Sequence, residues 1–161
     1  MKHPKIYLCM AVIVLVLAAG CGVKPPTAEN IRLSAIFSDH MVLQRDMDIP
    51  VWGKADPGGY VQVKFADQLR GAAVAEDSSW SLKLKPVRAG GPYSLSVIGA
   101  DTTRFEDVLV GEVWLCSGQS NMNWSVRFSM NSEPEIKNAV YPTIRLCTVK
   151  QAVADTPRFS F

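Results

Sequence analysis

Acidic residues are absent from the start of the chain, and histidine is scarce throughout it. No Asp or Glu precedes Glu29, and the 161 residues include 2 His, 4 Cys and 20% charged side chains. Removal of residues 1–20 would take away Lys2 and Lys5, which lowers the formal net charge from +2 to zero. A neutral chain lacks the electrostatic footprint of a nucleic-acid-binding protein, so we expect no nucleic-acid partner.

Several sequence patterns that would define a function are also missing. No Walker-type or G-x-G-x-x-G run follows a strand pattern, which disfavours a phosphate-binding enzyme. The cysteines have no nearby histidine partners at zinc-site spacing, so we expect neither a metal nor a cofactor. We find no internal repeat and no low-complexity tract. A hydrophobic content of 48% excludes a disordered, collagen-like or coiled-coil chain and is typical of a globular protein.

The first twenty residues have the pattern of a secretory signal peptide. A short basic start is followed by an apolar run at 6–19 and small residues up to Gly20. The run is shorter than the roughly 20 residues that span a bilayer as a helix. An uncleaved membrane anchor is the alternative.

The end of this segment, Leu17-Ala-Ala-Gly-Cys21, resembles a bacterial lipobox. The resemblance implies that Cys21 becomes the lipid-bearing N-terminus of a bacterial lipoprotein. We therefore expect a periplasmic or outer-membrane protein that meets the membrane only through this lipid anchor. Residues 21–30, with Pro25-Pro26, are predicted to form a tether.

Residues 31–105 show the period-two alternation of half-buried strands. The alternation is clearest at 61–65, 80–85 and 93–97, and turn sequences rich in Gly, Pro, Asp and Ser separate these segments. Short, regularly spaced strands of this kind predict an antiparallel β-sandwich-like domain.

The pattern changes after Thr103. Residues 107–116 are nearly continuous in apolar side chains, which is typical of a strand buried on both faces in a parallel sheet. Ser117-Gly-Gln-Ser-Asn-Met122 follows, and a Gly-containing turn after a buried strand is how α/β folds present a nucleophile. The backbone N–H groups of this turn would be free to meet an oxyanion at Ser120. We expect a short helix within 123–141 and a second apolar strand at 143–150.

The remaining cysteines and the tryptophans are expected to be structural. Cys116 and Cys147 lie in apolar runs and are predicted to be buried thiols, with a disulfide as the alternative. Trp52, Trp80 and Trp114 fall in predicted strands and are expected in the core.

Two blocks of the sequence carry a family resemblance. Val108-Leu-Val-Gly-Glu-Val-Trp-Leu-Cys-Ser-Gly-Gln-Ser-Asn-Met122, followed by Trp124, resembles the nucleophile block of the sialate O-acetylesterase family of SGNH (GDSL-like) hydrolases. Phe37-Ser-Asp-His-Met-Val-Leu-Gln-Arg45 resembles the segment that opens the N-terminal β-domain of that family. The resemblance implies that residues 106–161 begin an α/β/α SGNH-hydrolase domain with a parallel sheet.

The resemblance also implies a mechanism and a substrate class. Ser120 would attack an acetyl group on a sugar or glycan to form an acyl-enzyme, and its own N–H would be one oxyanion donor. Gln119 and Asn121 would position Ser120 or the substrate, and Trp124 would line a sugar pocket. In the family the general base is a histidine near the end of the catalytic domain.

That histidine has no counterpart here. His40 lies in the opening block of the β-module and is expected to be a turn or packing residue. Residues 106–161 are also short for a doubly wound domain, which usually takes about 100–200 residues. We therefore expect a truncated carbohydrate O-acetylesterase that lacks its catalytic histidine. An acetyl-xylan esterase is the alternative within the enzyme class, and a non-catalytic β-module that binds a glycan or a partner is the alternative outside it.

Overall fold

The computed structural model describes residues 25–149 and 153–156. The predicted signal peptide, residues 1–20, and the predicted lipid-attachment residue Cys21 lie outside the described residues. Within the described part of the chain, no helix is both long enough and apolar enough to cross a membrane.

The described residues form eight strands in two sheets. The strands are β1 (Arg32–Leu33), β2 (Val42–Gln44), β3 (Ile49–Lys54), β4 (Tyr60–Phe65), β5 (Gln68–Ala73), β6 (Ser79–Leu84), β7 (Gly90–Ile98) and β8 (Thr102–Gly111). One sheet has the order β1-β3-β6, and the other has the order β2-β8-β7-β4-β5. All neighbouring strands are antiparallel except β2 and β8, which are parallel. The strands predicted at 61–65 and 93–97 lie within β4 and β7, and the one predicted at 80–85 matches β6 except for its last residue.

The two sheets share one hydrophobic core. Alternate residues of each sheet enter a single buried cluster, as period-two patterning requires of a sheet with one wet face. The largest side chains with full burial are Phe65, Leu84, Leu95, Val51, Val61, Val63, Val97 and Val108. The β-sandwich-like arrangement predicted for this region is therefore present, as a mixed rather than a purely antiparallel structure.

The parallel pair brings the two resembling sequence blocks together. Val42, Leu43 and Gln44 of β2 lie opposite Leu109, Val110 and Gly111 of β8. The segment around 37–45 thus packs directly along the strand that leads toward Ser120.

The prediction of a strand at 107–116 that is buried on both faces is wrong. Residues up to Gly111 belong to β8 of the sandwich, where Val108 and Val110 are buried and their neighbours are only partly so. The strand ends at Gly111, six residues beyond the predicted boundary at 105. Its alternating burial follows from its place in a sheet that covers the core on one face only.

Residues 112–149 contain no strand, and so the expected parallel sheet is not formed within them. They contain 3-10 turns at Ser120–Asn123 and Val126–Phe128, and one helix, α1 (Ser132–Asn138), which confirms the short helix expected in this region. The strand predicted at 143–150 is absent from its described residues, 143–149. An apolar run forms a strand only when a neighbouring strand accepts its backbone hydrogen bonds, and none is described beside it.

Three burial predictions fail in the same region. Trp114 is 83% exposed, and Cys116 and Cys147 are exposed free thiols rather than buried or paired ones. Trp80 is buried and Trp52 packs partly against the core, as expected. Trp80 lies on the core face of β6, and Trp52, on the other face of β3, packs edge-on against Phe37 at 4.9 Å, whereas no described layer covers Trp114.

Candidate functional site

The predicted nucleophile lies in a tight turn after β8. Residues 112–118 leave the sandwich without regular structure, and Ser120 is the first residue of the 3-10 turn Ser120–Asn123. The N–H of Met122 donates to the carbonyl of Gln119 at 2.9 Å, and the N–H of Trp124 donates to the carbonyl of Asn121 at 3.1 Å. A Cβ at Gly118 would lie 2.8 Å from Cγ of Met122, so glycine lets the turn close against this side chain.

The turn presents its polar side chains to solvent. Gln119, Ser120 and Asn121 are all exposed, and the Ser120 hydroxyl has no hydrogen-bond partner among the described residues. The Trp124 side chain is 66% exposed and meets the Phe128 ring edge-on, with the ring centroids 6.0 Å apart. The turn thus groups Ser120 with the three residues predicted to assist it, and their roles in substrate binding stay predictions.

A second polar cluster forms where β8 bulges. Tyr93 and Leu95 of β7 lie opposite Val108 and Phe105 of β8, so β8 carries one extra residue between these pairs. Asp107 lies in this bulge with a φ of 53°. Bulges redirect side chains, and Asp tolerates the left-handed region better than most residues with a Cβ.

The Asp107 carboxylate is shared by two basic side chains. Its Oδ2 lies 2.7 Å from Nδ1 of His40 and accepts a hydrogen bond from Nη2 of Arg145 at 2.9 Å. Nη1 of Arg145 also donates to the backbone carbonyl of His40 at 3.4 Å. The hydrogen bond with His40 and then that with Arg145 lower the pKa of Asp107 below the usual Asp value.

This cluster gives His40 a structural partner. His40 has a φ of 63°, and its N–H donates to the carbonyl of Glu106 at 3.0 Å. These contacts fit the turn role expected from the sequence. The described contacts of His40 do not include Ser120, and its imidazole Nδ1 is engaged with Asp107.

The opening block also contacts the start of the segment that leads to Ser120. The N–H of Val113 donates to Oε1 of Gln44 at 2.8 Å, and Nε2 of Gln44 donates to Glu112 at 3.2 Å. Gln44 therefore fixes the first residues after β8 against β2.

Sequence reasoning missed Asp107 and Arg145 as partners. The break in alternation at Glu106-Asp107 was a signal for the bulge, because two polar residues there interrupt the buried positions of β8. No local pattern marked Arg145, whose partners lie 38 and 105 positions away along the chain. In the described part of the chain, no group of three or more His, Cys, Asp or Glu residues could hold a metal ion.

A cavity of about 630 Å³ separates the sandwich from the later segments. It is lined by β8 and the start of β7 from the sandwich, and by Glu112, Trp114, Cys116 and residues 143–146 from the later segments. The Asp107 cluster lies beside this cavity because Arg145 belongs to both.

Comparison with solved structures and with known proteins gives the class of protein that the chain is similar to. A carbohydrate acetylesterase from Xanthomonas citri has a similar structure, with a TM-score of 0.58 and 38% sequence identity over 60% of this chain and 22% of that one. The chain is therefore related to the carbohydrate esterases. No family model matches the chain.

Similar proteins of known activity narrow the class of carbohydrate esterases to one family. The sialate O-acetylesterase of Mus musculus is 34% identical over 73% of this chain, and that of Homo sapiens is 33% identical over 77%. The chain belongs to the sialate O-acetylesterase-like family. It spans about a quarter of the length of these relatives, with 24% and 26% of their chains covered.

Proposed function

We propose that this chain carries the nucleophile-bearing part of a carbohydrate O-acetylesterase that acts on acetylated sialate, with Ser120 as the nucleophile. The observation that carries the proposal is family membership together with the exposed 3-10 turn that presents Ser120 directly after the sandwich. Acetylated xylan is the alternative substrate within the same chemistry.

In this mechanism the Oγ of Ser120 attacks the acetyl carbonyl carbon while a general base takes the hydroxyl proton. The sugar oxygen then leaves with a proton, and the acetyl group remains as an ester on Ser120. Water hydrolyses that ester to acetate and restores the serine. The N–H of Ser120 contributes one hydrogen bond to the oxyanion, and Gln119, Asn121 and Trp124 hold the sugar.

The base and the remaining oxyanion donors are proposed to come from polypeptide beyond the residues of this chain. The chain has 2 His, and His40 is bonded to Asp107. The apolar side chains after the sandwich also support an unfilled interface, since Leu115, Leu146 and Val153 are each more than 90% exposed. Side chains of this kind are expected to pack against the rest of an SGNH-hydrolase domain.

The location of the protein belongs to the same proposal. A signal peptide over residues 1–20 and a lipid on Cys21 would place the sandwich outside the inner membrane, where acetylated glycans are accessible. The predicted tether, residues 21–30, would link the lipid to the sandwich, whose buried core begins at Ala28 within it.

One observation favours a second candidate function. The sandwich has a core of its own, whereas residues 112–149 contribute no buried residue. A β-module that binds a glycan or a partner without catalysis is therefore the alternative. Retention of the chain on a glycan array would support it, and a folded chain that binds no glycan and no partner would exclude it.

The esterase proposal is tested by hydrolysis of p-nitrophenyl acetate. The assay uses the longest product of the locus, and Ser120→Ala is expected to lower kcat/KM by at least about a thousandfold. Ser117→Ala is the matched control, because it removes an exposed hydroxyl from the same stretch and should leave the rate unchanged. Equal activity of Ser120→Ala and the parent protein would reject Ser120 as the nucleophile.

A further inference from the structure

Three distant segments of the chain meet at one carboxylate. Asp107 in the β8 bulge binds His40 from the turn before β2 and Arg145 from the segment after α1. Arg145 closes the triangle by donating to the carbonyl of His40. No other described ion pair joins the sandwich to the residues after 140.

We propose that Asp107 is a positioning residue for the segment that carries Ser120. Through Arg145 it holds residues 143–146 against the sandwich, beside residues 112–116 that lead from β8 to the nucleophile turn. This inference rests on the proposed function for its link to catalysis. The joint itself, meaning the contacts of Asp107 with His40 and Arg145, is a property of the described structure.

The burial of the arginine separates this pair from an ordinary surface pair. The Arg145 side chain is 23% exposed, whereas both members of the Arg104–Glu106 pair are 59% exposed. Partial exclusion of water strengthens a charge-assisted hydrogen bond, while an exposed pair contributes little. The single guanidinium also binds two different segments, which fixes its orientation as well as its position.

The backbone at both partners is held in a conformation that few residues adopt. His40 and Asp107 have φ values of 63° and 53°, in the left-handed region. Neighbouring hydrogen bonds hold this backbone in place. The N–H of Glu106 donates to Oδ1 of Asp39 at 2.7 Å, and that of Leu109 donates to the carbonyl of Met41 at 3.0 Å. The carboxylate is therefore presented to Arg145 by a rigid frame.

The cavity beside the joint explains how the nucleophile segment would respond. Trp114 and Cys116 line this cavity together with Ile144 and Leu146, which flank Arg145. Arg145 is a described polar link between residues 143–146 and the sandwich, so its release would free this segment from the cavity that it shares with residues 112–116. The residues that enter the Ser120 turn would then lose their neighbour.

The direct test is amide hydrogen exchange in the chain with Asp107→Asn. Asn fits the left-handed backbone, so the substitution removes the charge and leaves the bulge intact. We expect exchange at 143–149 and at 112–116 to accelerate on the order of tenfold, with β4 amides unchanged. Arg104→Gln is the matched control, because it breaks an exposed ion pair on the same strand and should change neither segment.

Two variants of the arginine make the test independent of Asp107. Arg145→Gln should accelerate exchange as Asp107→Asn does. Arg145→Lys keeps the charge but has one donor group in place of the fork, so it should restore part of the protection. Unchanged exchange at 143–149 in both Asp107→Asn and Arg145→Gln would overturn the proposal.

A kinetic measurement separates positioning from simple loss of structure. In the form that hydrolyses p-nitrophenyl acetate, Asp107→Asn should lower kcat about tenfold with KM nearly unchanged, after normalisation to folded protein. An unchanged kcat alongside faster exchange would overturn the catalytic link. Failure of the Ser120→Ala experiment would instead reject the proposed function, and the exchange result would still decide whether Asp107 holds the segment.

Discussion

The same kinds of apolar residue are buried in the sandwich and exposed in the segment that follows it. Phe65 and Leu95 are completely buried between the two sheets, while Phe128 and Leu146 are 69% and 93% exposed. All the buried hydrophobic residues of the described chain lie between Ala28 and Val110. Most of its exposed large apolar side chains lie after Gly111.

The difference shows that apolar composition alone does not make a core. A strand buries a face only when a second layer lies opposite it, and the sandwich supplies two such layers. Residues 112–149 have one helix of 7 residues and two 3-10 turns, none with a buried residue. Its apolar residues therefore indicate an interface that the described residues do not fill.

The largest expected effect comes from truncating equivalent rings in the two regions. Phe65→Ala removes a ring that is fully buried and packs edge-on against Tyr93 at 5.4 Å, so it should lower the free energy of unfolding by about 3–5 kcal/mol. Phe128→Ala should stay within about 0.5 kcal/mol. Urea unfolding followed by tryptophan fluorescence measures both. A comparable loss for Phe128→Ala would erase the contrast between the regions.

A second pair of variants tests the packing around two glycines. A Cβ at Gly53 would lie 2.5 Å from the carbonyl oxygen of Arg32 and 2.9 Å from the Trp80 ring. Gly53→Ala should therefore cost about 1–3 kcal/mol of unfolding free energy. Gly111, where the sandwich ends, has only Val42 near its Cβ position, at 3.7 Å. Gly111→Ala should fall within about 0.5 kcal/mol in the same urea experiment, and a large loss there would mean that the end of β8 is tightly packed.

Two aspartates with lowered pKa values are expected to give the two regions different acid dependences. Asp77 should affect the unfolding of the sandwich, and Asp107 should affect exchange protection at 143–149. Hydrogen bonds from Ser79 lower the pKa of Asp77, and hydrogen bonds with His40 and then Arg145 lower the pKa of Asp107. A folded-state pKa below the unfolded value gives stabilisation that is complete above the usual Asp pKa of about 3.9. That stabilisation is lost as the pH falls through the lowered folded value.

The measurement compares Asp77→Asn with Asp107→Asn between neutral pH and pH 2. Asp77→Asn should flatten part of the acid dependence of sandwich unfolding, and Asp107→Asn should flatten that of exchange protection at 143–149. An identical pH profile for parent and variant at either site would contradict the role given to that carboxylate.

The smallest effect is expected at the two cysteines. Cys116 and Cys147 are exposed free thiols, so iodoacetamide should alkylate each within about tenfold of the rate of an unstructured peptide thiol. Single Cys→Ser variants assign the two rates. Protection of either thiol by a hundredfold or more would show that this segment is covered, and the contrast with the sandwich would then be wrong.

The fold of the sandwich was largely predictable because its strands obey a local rule. Period-two alternation located β4, β6 and β7, and the turn sequences separated them. The short β1 and β2 have too few residues to show a period, and the parallel pairing of β2 with β8 depends on residues far apart in the chain. The continuous apolar character at 107–116 was misleading, because β8 ends at Gly111 and residues 112–116 are an exposed segment without a strand.

The candidate site was predictable only in part. The turn around Ser120 was marked by a compact motif, and the structure places Gln119, Asn121 and Trp124 with it. The joint of His40, Asp107 and Arg145 was not marked, because each residue is unremarkable in its own segment. Only the bulge and the parallel strand bring the three within hydrogen-bond distance.

The sequence by itself determined β4, β6 and β7 of the sandwich, the Ser120 motif and the family, because these depend on residues close together in the chain. The tertiary structure decided where the sandwich ends, which apolar residues are buried and what Asp107 binds. Burial and long-range pairing depend on the layer that lies opposite a residue, and the local sequence pattern gives no information about that layer.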